Sequence, residues 1–319
     1  METPVPGLGY ADPKFAWSYR EFGAPVTLER SRATVLLVDE SRTGRSDAVA
    51  PYPLLSCEFP ERIAEDLDQL RDLGAITLTA VLDPLRRVPE PDDRWAVLRP
   101  FKTHLLSRLG AAALDGTDFM PSRHHRREAR RARRSVEVEV QKAAEADLDE
   151  WMRLWSSIEQ RKRPAGMAAA SRATYAAQLA LDGAVMMWAR VEGQPVAAQV
   201  VLVTPDVVQV HAAVSDPRGR ECRAMFALDN TLLDMFAGST CTIHWGGVPG
   251  RTDATDGLWK YKAGWANDAA PATLLGAVLD PETYVLLGGQ LPVDAAAWFP
   301  LHRDPLRTLE PSRTPTHAP

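Results

Sequence analysis

The chain has 319 residues, 45% hydrophobic and 25% charged, with a net charge of −5. That size fits two domains of ordinary globular composition with a core large enough to need no staples, and the mild acidity confines any nucleic-acid contact to a local basic patch. Three cysteines, Cys57, Cys222 and Cys241, are too few and too scattered for a disulfide framework or a zinc site, which points to a reducing compartment.

Residues 1–30, rich in proline, glycine and aromatics, are expected to be irregular. The N-terminus lacks the basic-then-apolar pattern of a signal peptide. Apolar runs such as 75–82 fall short of the roughly 20 residues that a membrane helix needs, so a cytoplasmic protein without a membrane span is expected. A β-branched run predicts a strand at 33–40, followed by a loop at 42–60. Ile63, Leu67, Leu70 and Leu73 recur at helical spacing, with Gly74 as C-cap, and 75–82 reads as a strand. Strand, helix and strand predict an α/β first half. A proline-rich connection at 83–94 leads to a further strand within 94–106. The boundary between halves is placed near residue 115, giving 1–115, 116–305 and a disordered tail at 306–319.

The second half opens with a dense basic segment. A helix follows over 147–161, with Leu148, Met152, Trp155 and Ile158 on one face, then a second helix capped by Ser171. Runs at 184–193, 194–205 and 206–215, separated by Gly193-Gln194 and Pro205-Asp206, predict a three-stranded meander. A long helix over 219–238 and a strand over 239–247 complete the pattern.

Three segments carry a resemblance: SRHHRREARRARRSVEVEV (122–140), IHWGGVPGRTDATDGLWKYKAGW (243–265) and AWFPLHR (297–303). Together they resemble the Fem-like branch of the GNAT superfamily, which includes aminoacyl-tRNA-dependent transferases of peptidoglycan cross-bridges and cellulose-biosynthesis-type acetyltransferases. The family has an arginine-rich helix, a Gly-Gly turn and a "dGL…FK.GW" segment. Here these are Gly246-Gly247, Asp256-Gly257-Leu258, Tyr261-Lys262 in place of Phe-Lys, and Gly264-Trp265. His244-Trp245 departs from the acidic and aliphatic pair usual before the Gly-Gly. The resemblance implies mixed, largely antiparallel α/β sheets in two tandem GNAT-like halves.

Seven arginines and one glutamate lie between Arg123 and Arg134. At helical spacing Arg123, Arg127, Arg130 and Arg134 line one face, flanked by Arg126 and Arg133. Such a face is either solvated or a phosphate site served by guanidinium forks. tRNA, coenzyme A and nucleotide-linked substrates all fit it. His124 and His125 are then phosphate neighbours or exposed.

Read as extended chain, 259–262 places Lys260 and Lys262 on one side and Tyr261 on the other. A lysine near a reacting carbonyl can stabilise developing negative charge. By residue type alone Lys262 is an ordinary surface lysine, and the resemblance places it in the substrate cleft, with Trp259, Tyr261 and Asp256 as substrate-binding neighbours. His211, sharing a strand face with Gln209 and Ala213, is a candidate general base or a satisfied core histidine. His244 is a second candidate. Asp253 reads as a turn residue. Residues 215–224 occupy the place of a pyrophosphate loop without its usual glycine spacing.

No P-loop, Rossmann fingerprint, nucleophile elbow or metal cluster is found. The expected function is transfer of an acyl group from acyl-CoA to a small-molecule or peptide amine, without a metal. The alternatives are a Fem-like transferase using aminoacyl-tRNA, with tRNA as partner, and a GNAT-shaped binding module without turnover.

Overall fold

The computed structural model describes residues 5–110, 119–248, 256–294 and 297–304. The boundary near 115, the tail at 306–319 and Asp253 lie outside the described residues.

The described strands form one eleven-stranded sheet. They are β1 (Ala24–Thr27), β2 (Thr34–Glu40), β3 (Arg45–Val49), β4 (Ala75–Leu82), β5 (Val97–Arg108), β6 (Glu137–Lys142), β7 (Ala184–Val191), β8 (Gln194–Val203), β9 (Val207–Ser215), β10 (Thr242–Gly246) and β11 (Asp268–Val278). Their order is β1-β2-β3-β4-β11-β5-β10-β9-β8-β7-β6. Only β3–β4 and β9–β10 pair in parallel; the other neighbours are antiparallel. Each flank is therefore an antiparallel meander followed by a crossover to one parallel strand. This is a mixed, mostly antiparallel α/β fold. The long strand β5 joins the two flanks, pairing with β11 on one edge and β10 on the other.

The helices are α1 (Pro13–Trp17), α2 (Leu67–Asp72), α3 (Arg123–Ala132), α4 (Leu148–Lys162), α5 (Arg172–Leu179), α6 (Pro217–Glu221), α7 (Ala224–Met235), α8 (Gly257–Ala263) and α9 (Pro281–Leu286). Helices α3 and α7 cover one face of β6–β10, burying Ala129, Ala132, Ala227 and Leu228 against Val185, Met187 and Val201. On the other face, α1, α4 and α5 bury Phe15, Trp151 and Leu179 against Met186, Trp188 and Val200. Each such large side chain withdrawn from water contributes about 1.5–3 kcal/mol. Among the described residues no helix is long and apolar enough to cross a membrane.

Several expectations change. The stretch read as irregular holds α1 and β1, and the stretch read as a loop contains β3. The single helix expected at 219–238 is two. Asp216 caps α6 by accepting from Gly219 N at 2.7 Å, the chain turns at Arg223 (φ 61°), and α7 restarts at Ala224 without a side-chain cap. Residues 259–262 are helical rather than extended, so Lys260 and Lys262 do not share a side: Lys260 is exposed and Lys262 partly buried.

Candidate active site

Strands β9 and β10 stay together only over Thr242–His244, opposite Val207–Gln209. Past that point β10 ends at Gly246 (φ 73°), while β9 runs on to Ser215 paired with β8 alone. The strands part there, and among the described residues the β10-facing edge of β9 has no strand partner.

Helix α8 returns the chain to the turn after β10, through Lys262. Asp256 starts it, its carboxylate accepting from Leu258 N at 2.7 Å and Trp259 N at 3.1 Å. An N-capping oxygen satisfies the otherwise orphaned first-turn amides. Trp259 is partly buried against the α3/α7 core. The helix is fixed to α3 at two points: Ser122 N donates to Gly264 O at 2.9 Å, and His125 Nε2 reaches Tyr261 O at 2.7 Å. His125 Nδ1 lies 2.8 Å from Ser122 Oγ. This histidine is buried, so the reading of it as an exposed or phosphate-side residue is corrected. Its ring also explains Gly264, where a Cβ would fall 1.9 Å from it.

Lys262 turns inward and donates from Nζ to Gly247 O at 2.6 Å. Burial lowers its pKa to about 8; Asp229 opposes that fall and Lys102 adds to it. Asp229, on α7, is buried and accepts from Gln199 Nε2 at 2.9 Å and from the Tyr261 hydroxyl. Burial raises its carboxyl to about 6, against the hydrogen bonds of Tyr261 and Gln199. Tyr261 is thus committed to the interior, edge-on to Phe226 at 4.9 Å between ring centroids.

His244 sits on β10 beside the gap, its Nε2 2.8 Å from His104 Nδ1 on β5. Burial lowers His244 to about 3, and Lys262 lowers it further. His211 has other company. It is the extra residue of a bulge, since Val200 pairs with Ala212 and Val201 with Val210. Its Nε2 reaches Gln178 Oε1 at 3.0 Å and its Nδ1 the Tyr10 hydroxyl at 3.3 Å. Burial lowers it to about 4. The bulge breaks the alternation expected of His211 and Ala213: Ala212 and Val214 follow on the His211 side, packed against the α4/α5 core, and Ala213 is exposed.

Along α3, His125, Glu128, Ala129 and Ala132 face inward and most of the arginines outward. Arg127 and Arg223 both bond the buried Glu128 carboxylate. Arg123 and Arg130 are exposed and enter none of the described ion pairs. Arg126 is partly buried, its Nε without a hydrogen-bond partner.

The structure therefore brings Lys262 and His244 together at the end of β10, with Tyr261 turned to Asp229, while Asp256 is exposed as the cap of α8 and Trp259 packs on the α3/α7 core. His104, Asp229 and Gln199 join them unforeseen. An acid beside Leu228 and Leu232 on the apolar side of the helix was the available signal for Asp229. His104 has none beyond strand alternation with Lys102. Burial pushes the Cys57 thiol up to about 12, consistent with a packed rather than nucleophilic cysteine. Glu40, Asp47 and His302 cluster at metal-like spacing, but Arg42 and Arg303 already neutralise the carboxylates.

Residues 122–253 match the family model of an acetyltransferase (GNAT) domain. No curated protein matches the chain in sequence. Among solved structures, FemX is similar over 86% of this chain and 92% of its own, with TM-score 0.58 and 10% identity. The C-terminal domain (DUF2156) of a protein described as a lysylphosphatidylglycerol synthetase, from Agrobacterium fabrum, covers 82% and 87% with TM-score 0.54 and 17% identity. L-PGS from Bacillus licheniformis covers 86% and 93% with TM-score 0.52 and 13% identity. Identities this low speak for the fold alone. Residues 122–253 thus match a GNAT acetyltransferase domain, and the chain as a whole shares its fold with FemX and L-PGS.

Proposed function

We propose that the chain is an N-acyltransferase that moves an activated acyl group from a phosphate-bearing donor to an amine in the gap between β9 and β10. The observation that carries this reading is the inward-turned Lys262 at the Gly246-Gly247 turn, where the parallel strands part. The donor carbonyl sits in the gap. The amine attacks it directly, and Lys262 with the unpaired edge of β9 stabilises the oxyanion. Holding both partners in one cleft supplies much of the acceleration. The amine's proton leaves to water, because both ring nitrogens of His211 are held by Tyr10 and Gln178 on the α4/α5 side of the sheet.

Acyl-CoA is the first donor, on the strength of the acetyltransferase domain match. A second reading, aminoacyl-tRNA, is favoured by the exposed and unpaired Arg123 and Arg130 on α3, and by Asp216, which fills the start of α6 where a pyrophosphate would otherwise sit. The acceptor is a small molecule or peptide, and no metal is needed. The test is transfer and thermal stabilisation with acetyl-CoA, free coenzyme A and charged tRNA, with and without ribonuclease. Stabilisation by none of them, with no transfer, leaves a binding module and ends the enzymatic reading. Replacing both Arg123 and Arg130 with alanine should weaken donor binding and flatten its log–log salt dependence by about 1–2 units of slope. An unchanged slope removes α3 as the phosphate site.

A further inference from the structure

Strand β5 places Lys102 and His104 two residues apart, on one face. His104 Nδ1 lies 2.8 Å from His244 Nε2, the rings stacked with centroids 5.0 Å apart. One of these nitrogens donates to the other, so the neutral pair keeps one outward N–H and one outward lone pair. The Gly-Gly turn brings Lys262 to the same spot. A Cβ on Gly247 would lie 3.1 Å from His104 Nε2, and one on Gly246 would lie 3.5 Å from Lys262 Nζ. Asp229, the acid that supports Lys262, already accepts from Tyr261 and Gln199. Lys102 is partly buried and enters none of the described ion pairs; its ammonium lies over the Phe101 ring at 5.3 Å.

Two ammonium groups and two imidazoles thus converge where one carboxylate, already engaged, is the counter-charge. Burial, with the charges of His244, Lys262 and Lys102 behind it, lowers His104 to about 2. Basic nitrogens crowded in this way out of water are relieved by an anion. We propose that Lys102, the His104–His244 pair and Lys262 bind a carboxylate, which makes the acceptor a carboxylate-bearing amine of the amino-acid class. The word acceptor rests on the acyl-transfer reading; the carboxylate site does not. A carboxylate suits the group better than a phosphate. The imidazoles are neutral at pH 7, so a single negative charge is matched. Phosphate has its own candidate in the separate guanidinium face of α3.

The test follows the His104 and His244 ring resonances by NMR in the intact protein, without donor, on addition of acetate, alanine, alaninamide, ethylamine or inorganic phosphate. Acetate and alanine should move both resonances, and alaninamide and ethylamine should not. Lys102→Met, at a partly exposed position that leaves the core intact, should weaken the carboxylate response by about fivefold. A silent pair with every carboxylate overturns the proposal. So does an equal response to alaninamide or a wild-type response in Lys102→Met, and a stronger response to phosphate reassigns the site to the donor. Carboxylate binding without transfer from any donor would leave this site standing and remove the proposed function. Transfer to ethylamine as fast as to alanine would do the reverse.

Discussion

Lys262→Met is expected to cut kcat/KM for transfer by about 10²–10³ while leaving the protein at least as stable at pH 7. The first effect is the usual cost of deleting one preorganised oxyanion donor. The second follows from burial, which lowers the lysine to about 8 and so disfavours the charged form that catalysis needs. The sign is definite. A lysine depressed in the folded state costs stability below its folded pKa, and that cost disappears as pH rises toward the unfolded value near about 10.4. The stability gain of the methionine variant should therefore be fully present below pH 8 and shrink above it, as read by chemical denaturation at several pH values. In the wild type, transfer should fall as pH rises through about 8, because the protonated ammonium is the active form. Asp229→Asn removes the carboxylate that opposes the depression and should move this alkaline limb to lower pH. Lys262→Arg should not rescue, because a forked guanidinium does not follow the single-point contact to Gly247 O. A methionine variant as active as the wild type would remove Lys262 from the chemistry.

The parts of this site written in local pattern were legible in the sequence. Helix α3 shows itself through Ser122 and the spacing of its arginines, and the meander β7–β9 through β-branched runs broken by Gly193-Gln194 and Pro205-Asp206. The Gly-Gly and Tyr-Lys segments announced where to look. What stayed hidden depends on distant pairing. Strand β3 holds its place partly through the parallel pairing with β4, beyond the β2–β3 hairpin, and β11 through β4 and β5, partners far away in the chain. Helix α8 is short, and its conformation is set by the Asp256 cap and the docking of His125, neither visible as periodicity. The His104–His244 contact joins residues 140 apart in sequence, and only the pairing of β5 with β10 creates it. His211 was misjudged on one point for a related reason: a bulge shifts the alternation on which its neighbours were assigned.

The third resembling segment, 297–303, acts on the fold rather than on the gap, and Asp47→Ala is expected to expose this. Asp47 on β3 is fully buried and accepts from Thr77 Oγ1 at 2.6 Å, His302 Nε2 at 2.8 Å and Arg303 Nε at 2.8 Å. Arg303 also donates to Val38 O at 3.1 Å and Asp39 O at 2.9 Å, so the end of the described chain is laced across β2 and β3. Burial pushes the Asp47 carboxyl up, but the hydrogen bonds of His302, Thr77 and Arg303 and the charge of His302 outweigh it and hold the group below its ordinary range. Removing it strands Arg303 and a buried imidazole, and breaking a buried pair from one side costs about 3–5 kcal/mol. A depressed carboxylate contributes stability that is present above its unfolded pKa of about 3.9 and lost as pH falls through the folded value. The wild type should therefore lose stability on the acid side, and Asp47→Ala should lose much less there because it has already paid that loss at neutral pH. Denaturation midpoints of the two proteins at neutral and acid pH decide it. Equal midpoints at neutral pH would mean that the chain end is not clasped to β3, and that the segment's place in the resemblance has some other cause.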